Sequence, residues 1–345
     1  MDSLTHIALG ACLGEVLLDR KLGRKAMLWG ALAQSIPDID FLANIWMVPP
    51  ESLLAHRGLT HSLLFTVLIS AGLAMAAEKW HRPHDIHFLK WLQFFTMLIG
   101  LHLLLDAFNN YGVGWFEPFS HDRISFHAIY VIDPFFSIWP GIGCLALLFL
   151  HLDHPHRIRW ALTGMILPVL YLCYSLYNKS IVESRVKSAL STIAIRQVRH
   201  FTTPAPLNSW LWFVAVEDET GYHTAYRSVF DGNAPMLFTF FPRNDSLLSK
   251  ISDHEEIAQL KRFSQGYHTT EYWNDTLVFN DLRFGQMIGW KDPKAHFVFH
   301  YYLGHGKDNK LVVQRGRFSG WNGRTARSLW HRIFRGDFNA DENKK

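Results

Sequence analysis

The chain has 345 residues, of which 49% are hydrophobic and 14% aromatic, and its formal net charge is +4. A net charge this small, with the basic residues around Arg315 to Arg335 spread out and not gathered in a block, argues against a nucleic-acid-binding protein. The three cysteines, Cys12, Cys144 and Cys173, all lie in apolar segments, so the sequence predicts neither a disulfide framework nor a cysteine-based zinc site.

Hydrophobic residues are concentrated in the first half of the chain. Two shorter apolar runs, Leu4 to Leu18 and Ala26 to Ile36, predict a helical hairpin, in which Gly10 and Gly14 have the small-xxx-small spacing that lets membrane helices approach closely. Four longer runs each have about the length that a helix needs to cross a bilayer core of roughly 30 Å. These runs are Leu63 to Ala77, Trp91 to Phe108, Phe135 to Leu150, and Trp160 to Tyr177. The pattern predicts a polytopic α-helical membrane domain over residues 1–177.

Two carboxylates follow the hairpin directly, in the sequence Pro37-Asp38-Ile39-Asp40. The proline suits a loop at a helix end, where both carboxylates can converge on a cation, and loops often carry chemistry. The alternative is that Asp38 or Asp40 simply caps a helix that starts nearby.

Two imidazoles lie close together just before the first long apolar run, in the sequence His56-Arg57-Gly58-Leu59-Thr60-His61-Ser62. Neutral imidazole and carboxylate are the usual ligands of zinc and related divalent metals. The motif therefore predicts that His56 and His61 ligate a metal. A helix-capping or hydrogen-bonding role for both histidines is the alternative.

His102 and Asp106 lie in an otherwise apolar segment, Leu101 to Phe108. In a helix their spacing puts both side chains on one face, where they can share an ion. An ionisable group inside an apolar helix must find a partner, a water-filled cavity or a metal. Together with His6 near the start of the chain, they predict a metal site. The alternative is an aspartate paired with an arginine or histidine of a neighbouring helix.

Basic residues in the short connections predict the orientation of the helices. They are concentrated in Asp19 to Lys25, Glu78 to Lys90 and His151 to Arg159, whereas Asn109 to Pro134 holds only Arg123. If the hairpin counts as a crossing, the three basic connections fall on one side, which the positive-inside rule makes cytoplasmic. The histidine and aspartate residues and the C-terminal region are then expected on the extracytoplasmic side of a bacterial inner membrane.

Residues 178–345 have a different pattern, because short segments rich in aromatic and β-branched residues alternate with Gly, Asp, Asn or Pro. Such segments predict antiparallel strands. The predicted strands are Trp210 to Val216, Tyr222 to Phe230, Met236 to Phe241, Thr276 to Phe279, and His296 to Tyr302. A helix is predicted over Asp253 to Phe263 with Asp253 as its cap, and Asp281 to Gly285 is typical of a strand end. A smaller α+β, mostly antiparallel β, extramembrane domain is thus expected to follow the membrane domain.

In this order the motifs resemble the YdjM-like family of membrane-bound proteins regarded as metal-dependent hydrolases. The resemblance rests on Thr5-His6, Pro37-Asp38-Ile39-Asp40, the seven-residue histidine motif, His102 with Asp106, and the loop Tyr111 to Ser120. It covers roughly residues 1 to 175. That family is distantly similar to zinc-dependent phospholipase C, which implies a helical fold around a cluster of His and Asp ligands and the hydrolysis of phosphoesters.

The residues and the resemblance together predict a membrane-bound hydrolase that cleaves an amphiphilic phosphoester or lipid-linked substrate at the outer face of the membrane, using metal-activated water. Zinc is the expected metal, and manganese is the alternative. The expected ligands are His6, Asp38, Asp40, His56, His61, His102 and Asp106. Asp40, or alternatively Asp38, is expected to accept the proton from the water, and Arg57 to pair with an anionic substrate oxygen.

Two other functions fit the same sequence. One is a non-catalytic membrane protein whose metal site is structural or serves sensing or transport, which predicts a coordinatively closed site. The other is a scaffold with an inert metal site, in which the C-terminal domain acts as an interaction module.

Overall fold

The structure, a computed structural model, describes residues 1–81, 86–192, 199–304 and 321–336. The chain forms two compact units. The first comprises Met1–Ile45 and Ala55–Tyr174, and the second comprises Trp46–Leu54 and Ser175–Lys345. The sequence pattern predicts a boundary between residues 177 and 178. Residues 82–85 of one basic connection and residues 315–320 of the basic tail lie outside the described residues.

Helices dominate the first half of the chain. The α-helices are α1 (Ser3–Leu22), α2 (Arg24–Ser35), α3 (Pro49–Ala55), α4 (Leu63–Trp80), α5 (Phe88–Asp106), α6 (Pro134–Phe149), α7 (Arg157–Thr192), α8 (His254–Phe263) and α9 (Gly323–Arg335), and 3-10 helices cover Pro37–Ile45, Leu59–His61 and Asp245–Lys250. Local caps explain two of the starts. The Ser62 hydroxyl accepts a hydrogen bond from Phe65 N at the start of α4, and Asp133 caps α6, whose first residue is Pro134.

Every apolar run predicted from the sequence forms a helix. Among the described residues, three helices are long and apolar enough to cross a membrane by length and composition, namely α4, α5 and Arg157–Ser191 of α7. Ser3–Leu18 and α6 are apolar but shorter. The predicted helical and apolar character of this region is confirmed.

Three glycines allow α1 and α2 to pack backbone against backbone. A Cβ atom on Gly14 would collide with the carbonyl oxygen of Ala26, and one on Gly30 would collide with the carbonyl oxygen of Gly10. Close approach of this kind is what small residues permit in helix pairs. The two helices therefore form the hairpin that the sequence predicts.

The second unit contains two antiparallel sheets, as predicted. The first sheet has the order β1 (Arg199–Pro204), β2 (Leu211–Glu217), β3 (Gly221–Ser228) and β4 (Thr239–Pro242), and the second has the order β5 (His268–Trp273), β6 (Thr276–Gln286) and β7 (Phe297–Tyr302). Residues Val214 and Ala225 are direct partners in the centre of the first sheet. Strands β1 and β5 and helix α9 are additions to the predicted elements.

Strand β2 contributes to two hydrophobic clusters, one on each face of the first sheet, because successive side chains of a strand point to opposite faces. Trp212, Val214 and Val216 pack against Val182 and Val186 of α7. The opposite face packs against the second sheet in a cluster of Phe201, Phe213, Ala215, Tyr222, Tyr267, Leu282 and Phe297. The last turns of α7 are therefore part of the core of this unit.

Helix α8 covers the far side of the second sheet. Leu260 of α8 packs in one cluster with Phe279 and Tyr301, and Leu53 of α3 borders the same cluster. The Asp253 carboxylate accepts a hydrogen bond from Glu256 N at 2.9 Å, so the predicted cap is confirmed.

The predicted strand Thr276 to Phe279 is longer than expected, and Asp281 to Gly285 forms its last part, in line with a segment typical of a strand end. Strand β6 continues to Gln286, with an irregularity in its pairing to β7 between Asp281 and Gln286. Arg283 folds back onto Asp281, with Nη2 2.6 Å from Oδ2, and both side chains are buried. The charged pair thus lies inside a bulged strand, where each charge compensates the other.

The close packing of α1 against α2 can be tested by replacing Gly14 with alanine, which adds one methyl group at the contact. We expect Gly14→Ala to lower the free energy of unfolding by about 1–3 kcal/mol, because an added Cβ would overpack against Ala26. The measurement is the thermal unfolding midpoint of the detergent-purified protein.

Gly100→Ala is the matched control, because Gly100 lies inside α5 and a Cβ there would meet nothing within 4 Å. Alanine favours a helix over glycine by about 1 kcal/mol in water, so this variant should unfold at the same temperature as the parent or higher. Equal midpoints for the two variants would contradict the close packing of α1 and α2.

Candidate metal centre

Four side chains of the first unit converge on one small volume. Asp38, His61, His102 and Asp106 each offer a ligand atom, and these atoms all lie within 4.8 Å of one another. We call these four residues the ligand cluster. Two imidazoles with two carboxylates are a donor set typical of zinc and related divalent ions.

Three segments bring the ligand cluster together. Helix α5 supplies His102 and Asp106 from adjacent turns of one face, as their spacing predicts. Pro37 starts the 3-10 helix that carries Asp38 in its first turn. His61 ends the short 3-10 helix just before α4.

The unprotonated nitrogens of two histidines point at a common position. His102 Nδ1 lies 2.7 Å from the carbonyl oxygen of Gln34, which can only accept, so in the neutral ring the proton is on Nδ1 and the Nε2 lone pair is free. His61 Nδ1 lies 3.2 Å from Asp40 Oδ2, which favours the same tautomer. The two Nε2 atoms are 3.2 Å apart, and two unprotonated nitrogens cannot hydrogen-bond to each other. A cation between them would satisfy both.

The spacing of the carboxylates fits the same position. Asp106 Oδ2 lies 3.4 Å from His61 Nε2 and 3.5 Å from His102 Nε2, and Asp38 Oδ1 lies 3.5 Å from His102 Nε2. A tetrahedral ion with bonds of about 2.0–2.1 Å holds its ligands about 3.3 Å apart. Asp106 Oδ2 is buried and, among the described residues, accepts no hydrogen bond of good geometry. The residues present therefore fit a bound divalent metal.

Asp40 and His56, predicted as ligands, lie one layer outside the ligand cluster. Asp40 Oδ2 accepts a hydrogen bond from Arg57 N at 2.6 Å and faces Nδ1 of His61, while its Oδ1 lies 3.1 Å from His56 Nδ1. A carboxylate that holds the distal nitrogen of a histidine ligand orients the ring and fixes its tautomer. This geometry gives Asp40 an orienting position.

His6 borders the ligand cluster without joining it. Its Nε2 lies 3.1 Å from Asp106 Oδ1, and its ring stacks on His102 with centroids 3.7 Å apart. Gln34 connects the two rings, because its side-chain oxygen lies 3.1 Å from His6 Nδ1 and its main-chain oxygen faces His102. Gln34 was not predicted from the sequence, since a lone glutamine in an apolar helix belongs to no recognisable motif.

Arg57 is buried beside Asp106. Its Nε lies 3.0 Å from Asp106 Oδ2, and its Nη1 donates to Asn109 Oδ1 at 2.6 Å. The backbone of Arg57 adopts a φ of 58°, a left-handed conformation that is rare outside glycine. The alternative predicted for Asp106, a pairing with an arginine or histidine of a neighbouring helix, is met by His6 of α1, and Arg57 adds a second partner from a turn. Contact between Arg57 and a substrate oxygen stays a prediction.

Asp40 is ionised and His61 is neutral, as metal binding requires of a carboxylate and an imidazole. Burial opposes ionisation of Asp40, but hydrogen bonds from His56 and His61 outweigh it and hold the pKa of Asp40 well below its usual range. Burial lowers the pKa of His61 to about 3, so its ring is neutral at physiological pH. An anionic carboxylate and a neutral imidazole are the states that ligate a metal.

One side of the centre is more open than the others. The side chains of His61 and Asp106 have no exposed surface, whereas Asp38 is 14% exposed and His56 is 34% exposed. The exposed surface of the centre is therefore contributed by Asp38 and His56.

Comparison with known proteins places these residues in a family. A family model described as YdjM inner membrane protein matches residues 1–182, a range that includes the ligand cluster and every other predicted ligand. The chain belongs to the YdjM inner membrane protein family.

Two relatives show how far the similarity extends. The inner membrane protein YbcI of Escherichia coli (strain K12) is 31% identical over 122 residues, which are 35% of this chain and 69% of YbcI. The uncharacterized protein YfhP of Bacillus subtilis (strain 168) is 26% identical over 347 residues, covering 93% of this chain and 95% of YfhP. No solved structure matches the chain significantly. Similarity to YfhP thus extends through both units of this YdjM-family protein.

The two layers of the centre predict different effects on metal content. We expect His61→Ala and His102→Ala each to abolish stoichiometric binding of zinc or manganese, because each removes a converging lone pair. Asp40→Asn should weaken binding about 10–100-fold, the usual effect of losing an orienting partner. His56→Ala should leave the metal content close to that of the parent. Elemental analysis of the purified protein measures each.

His121→Ala is the matched control, because His121 is an exposed histidine paired with Glu117 at 2.8 Å. Its metal content should equal that of the parent. Loss of metal from His56→Ala to the same extent as from His61→Ala would make His56 a direct ligand and contradict the two-layer arrangement.

Proposed function

We propose that this YdjM-family protein is a membrane-bound, metal-dependent hydrolase that cleaves a phosphoester or a lipid-linked substrate. The observation that supports it is the convergence of two Nε2 lone pairs and two carboxylates on one position. Asp38, His61, His102 and Asp106 would hold a divalent ion, with zinc expected, which would supply a Lewis acid and lower the pKa of a nearby water toward about 7.

Asp40 and His56 together are proposed to carry the proton. Asp40 holds His56 Nδ1, and the partly exposed His56 ring then offers Nε2 to a proton from water. In this proposal His56 accepts the proton, and Asp40, which the sequence suggested as the acceptor, orients the His56 ring. Arg57 keeps Asp106 in place through its ion pair, and Asp38 lies on the open side where a substrate would approach.

The membrane arrangement is part of the proposal. In the part of the chain that the structure describes, three helices have the length and composition of membrane spans. If the α1 and α2 hairpin and α6 also count as crossings, the basic connections share one side, and the positive-inside rule makes that side cytoplasmic. The centre and the second unit would then be extracytoplasmic, in a polytopic inner membrane protein, and the substrate would be amphiphilic.

A second function is supported by the burial of the same centre. Four protein ligands are enough to fill a tetrahedral zinc site, and structural zinc sites are closed in this way. The side chains of His61, His102 and Asp106 have no exposed surface. A non-catalytic membrane protein with a structural or sensing metal site, and with the C-terminal unit as an interaction module, is therefore the alternative.

Hydrolysis assays on the detergent-purified full chain separate the two functions. The substrates are bis(p-nitrophenyl) phosphate and long-chain phospholipids, assayed with zinc or manganese and again after chelation. We expect metal-dependent release of product that His102→Ala abolishes. His56→Gln should lower kcat about 100-fold or more with unchanged metal content, because it removes only the proton carrier.

His121→Gln provides the matched control and should retain full activity. Stoichiometric metal in the parent protein, with no hydrolysis of any substrate in the panel, would contradict the hydrolase and favour the structural or sensing site. Equal kcat values for His56→Gln and the parent would contradict the assigned proton carrier.

A further inference from the structure

The outward face of α9 in the second unit carries aromatic side chains where a solvated helix would be polar. Trp330 and Phe334 are 59% and 42% exposed. They are four residues apart and lie on one stripe of the helix. The adjacent stripe, with Leu329 and Ile333, is buried in the unit. Helix α9 therefore exposes a second apolar surface beside the one that packs into its own core.

The exposed aromatic residues form one patch. The Phe334 ring lies 4.6 Å from Trp330, 5.1 Å from Phe230 and 6.0 Å from Trp210, measured between centroids. Phe230 is itself 52% exposed. We call Trp210, Phe230, Trp330 and Phe334 the aromatic patch.

Exposed arginines lie on the same helix as two members of the aromatic patch, Trp330 and Phe334. Arg324, Arg327 and Arg335 of α9 are exposed. The carboxylate of Asp231, next to Phe230, is already paired with Arg332 at 2.8 Å. The surface thus combines aromatic rings with positive charge, as helices that lie in the headgroup region of anionic membranes do.

The aromatic patch lies at the end of the unit where α7 enters it. The amide of Asn178 donates to the carbonyl oxygen of Ser209 at 2.9 Å, and Ser209 precedes Trp210 of the patch. Asn178 directly follows the apolar run of α7, which ends in two exposed tyrosines, Tyr174 and Tyr177. Tyrosine and tryptophan at the end of an apolar span are typical of a membrane interface.

The opposite end of the first sheet lies further along α7. Lys179 Nζ donates to the carbonyl oxygen of Thr202, and one turn later Glu183 lies 2.9 Å from His200 Nε2. The helix therefore runs along β1 from the patch end toward the turn that joins β2 to β3. Phe240, paired with His223 near that turn, is 44% exposed and marks the far end.

From this placement we propose that the aromatic patch and its three exposed arginines are a membrane-docking surface for anionic phospholipid headgroups. The apolar run of α7 holds the patch end of the unit close to a bilayer. Aromatic rings enter the boundary between headgroups and acyl chains, and arginines bind the phosphates. The occupant is the bilayer itself, and the surface shares no residue with the ligand cluster.

Site-specific photocrosslinking tests the docking surface in the full chain. Phe334 is replaced by p-benzoylphenylalanine, and the protein is placed in nanodiscs of phosphatidylcholine with or without phosphatidylglycerol. We expect lipid adducts at position 334, detected by mass spectrometry, and about tenfold more of them when phosphatidylglycerol is present, because headgroup attraction acts at short range. The same replacement at Phe240, which is equally exposed, should give few adducts in either nanodisc.

Charge variants separate the arginines from general basicity. Arg324→Gln/Arg327→Gln/Arg335→Gln should remove the dependence on phosphatidylglycerol. Lys187→Gln/Lys250→Gln/Lys294→Gln, which removes the same charge from exposed lysines outside α9, should preserve it. Equal lipid adducts at positions 334 and 240 would overturn the proposal. Adducts to protein or RNA in place of lipid at position 334, or adducts independent of phosphatidylglycerol, would do the same.

Discussion

A buried carboxylate governs the arrangement of the first unit. Asp106 has no exposed surface, and it lies on a helix whose other side chains are almost all apolar. An ionised carboxylate taken out of water without compensation costs several kcal/mol, so positive or hydrogen-bonding groups must surround it. His6, Arg57 and the amino nitrogen of Met1 all turn toward it. A cation held between Asp106 and the Nε2 lone pairs of His61 and His102 would complete the compensation. Segments far apart in sequence meet here because each supplies part of that compensation.

Gln34 of α2 links the helix hairpin to the polar groups around Asp106, because it contacts both His6 and His102. Its three polar groups all find partners, since its side chain faces His6 and donates to Leu98 O at 2.8 Å while its main-chain oxygen receives His102. The close approach of α1 and α2 at Gly14 and Gly30 makes these contacts possible. It brings Gln34 of α2 within reach of His6 on α1 and of His102 on α5. The contacts of Gln34 in the centre therefore depend on the packing of small residues between α1 and α2.

Much of the centre could be predicted from the sequence, but its layering could not. His61, His102, Asp38 and Asp106 stand out because an imidazole or a carboxylate near or inside an apolar segment is costly to bury unless a metal or a charged partner compensates it. Which histidine ligates directly depends on which ring nitrogen meets a carbonyl or carboxylate, and this follows only from the fold. For that reason His56 and Asp40 were predicted as ligands, whereas the structure places them beside the ligand cluster and not within it. Buried amides such as Gln34 and Asn109 leave no pattern in a sequence.

The fold shows the same division between what patterns predict and what they miss. Apolar runs gave the helices of the first unit, since length and composition suffice there, and turn residues gave most strands of the second. Strand β1 and helix α9 were not predicted because their sequences, rich in threonine or arginine, are not apolar. One face of each is buried only by partners elsewhere in the unit. The extension of β6 through Asp281 and Arg283 needed the two charges to neutralise each other inside the sheet.

The donor set of the ligand cluster has a chemical consequence beyond its geometry. It contains oxygen and nitrogen only, and Cys12, Cys144 and Cys173 take no part in it. Thiolate sites lose their metal when peroxide or disulfide exchange converts sulfur to a non-ligating form. Imidazole and carboxylate do not undergo this thiol chemistry. A metal held by the ligand cluster would therefore not depend on a reducing compartment.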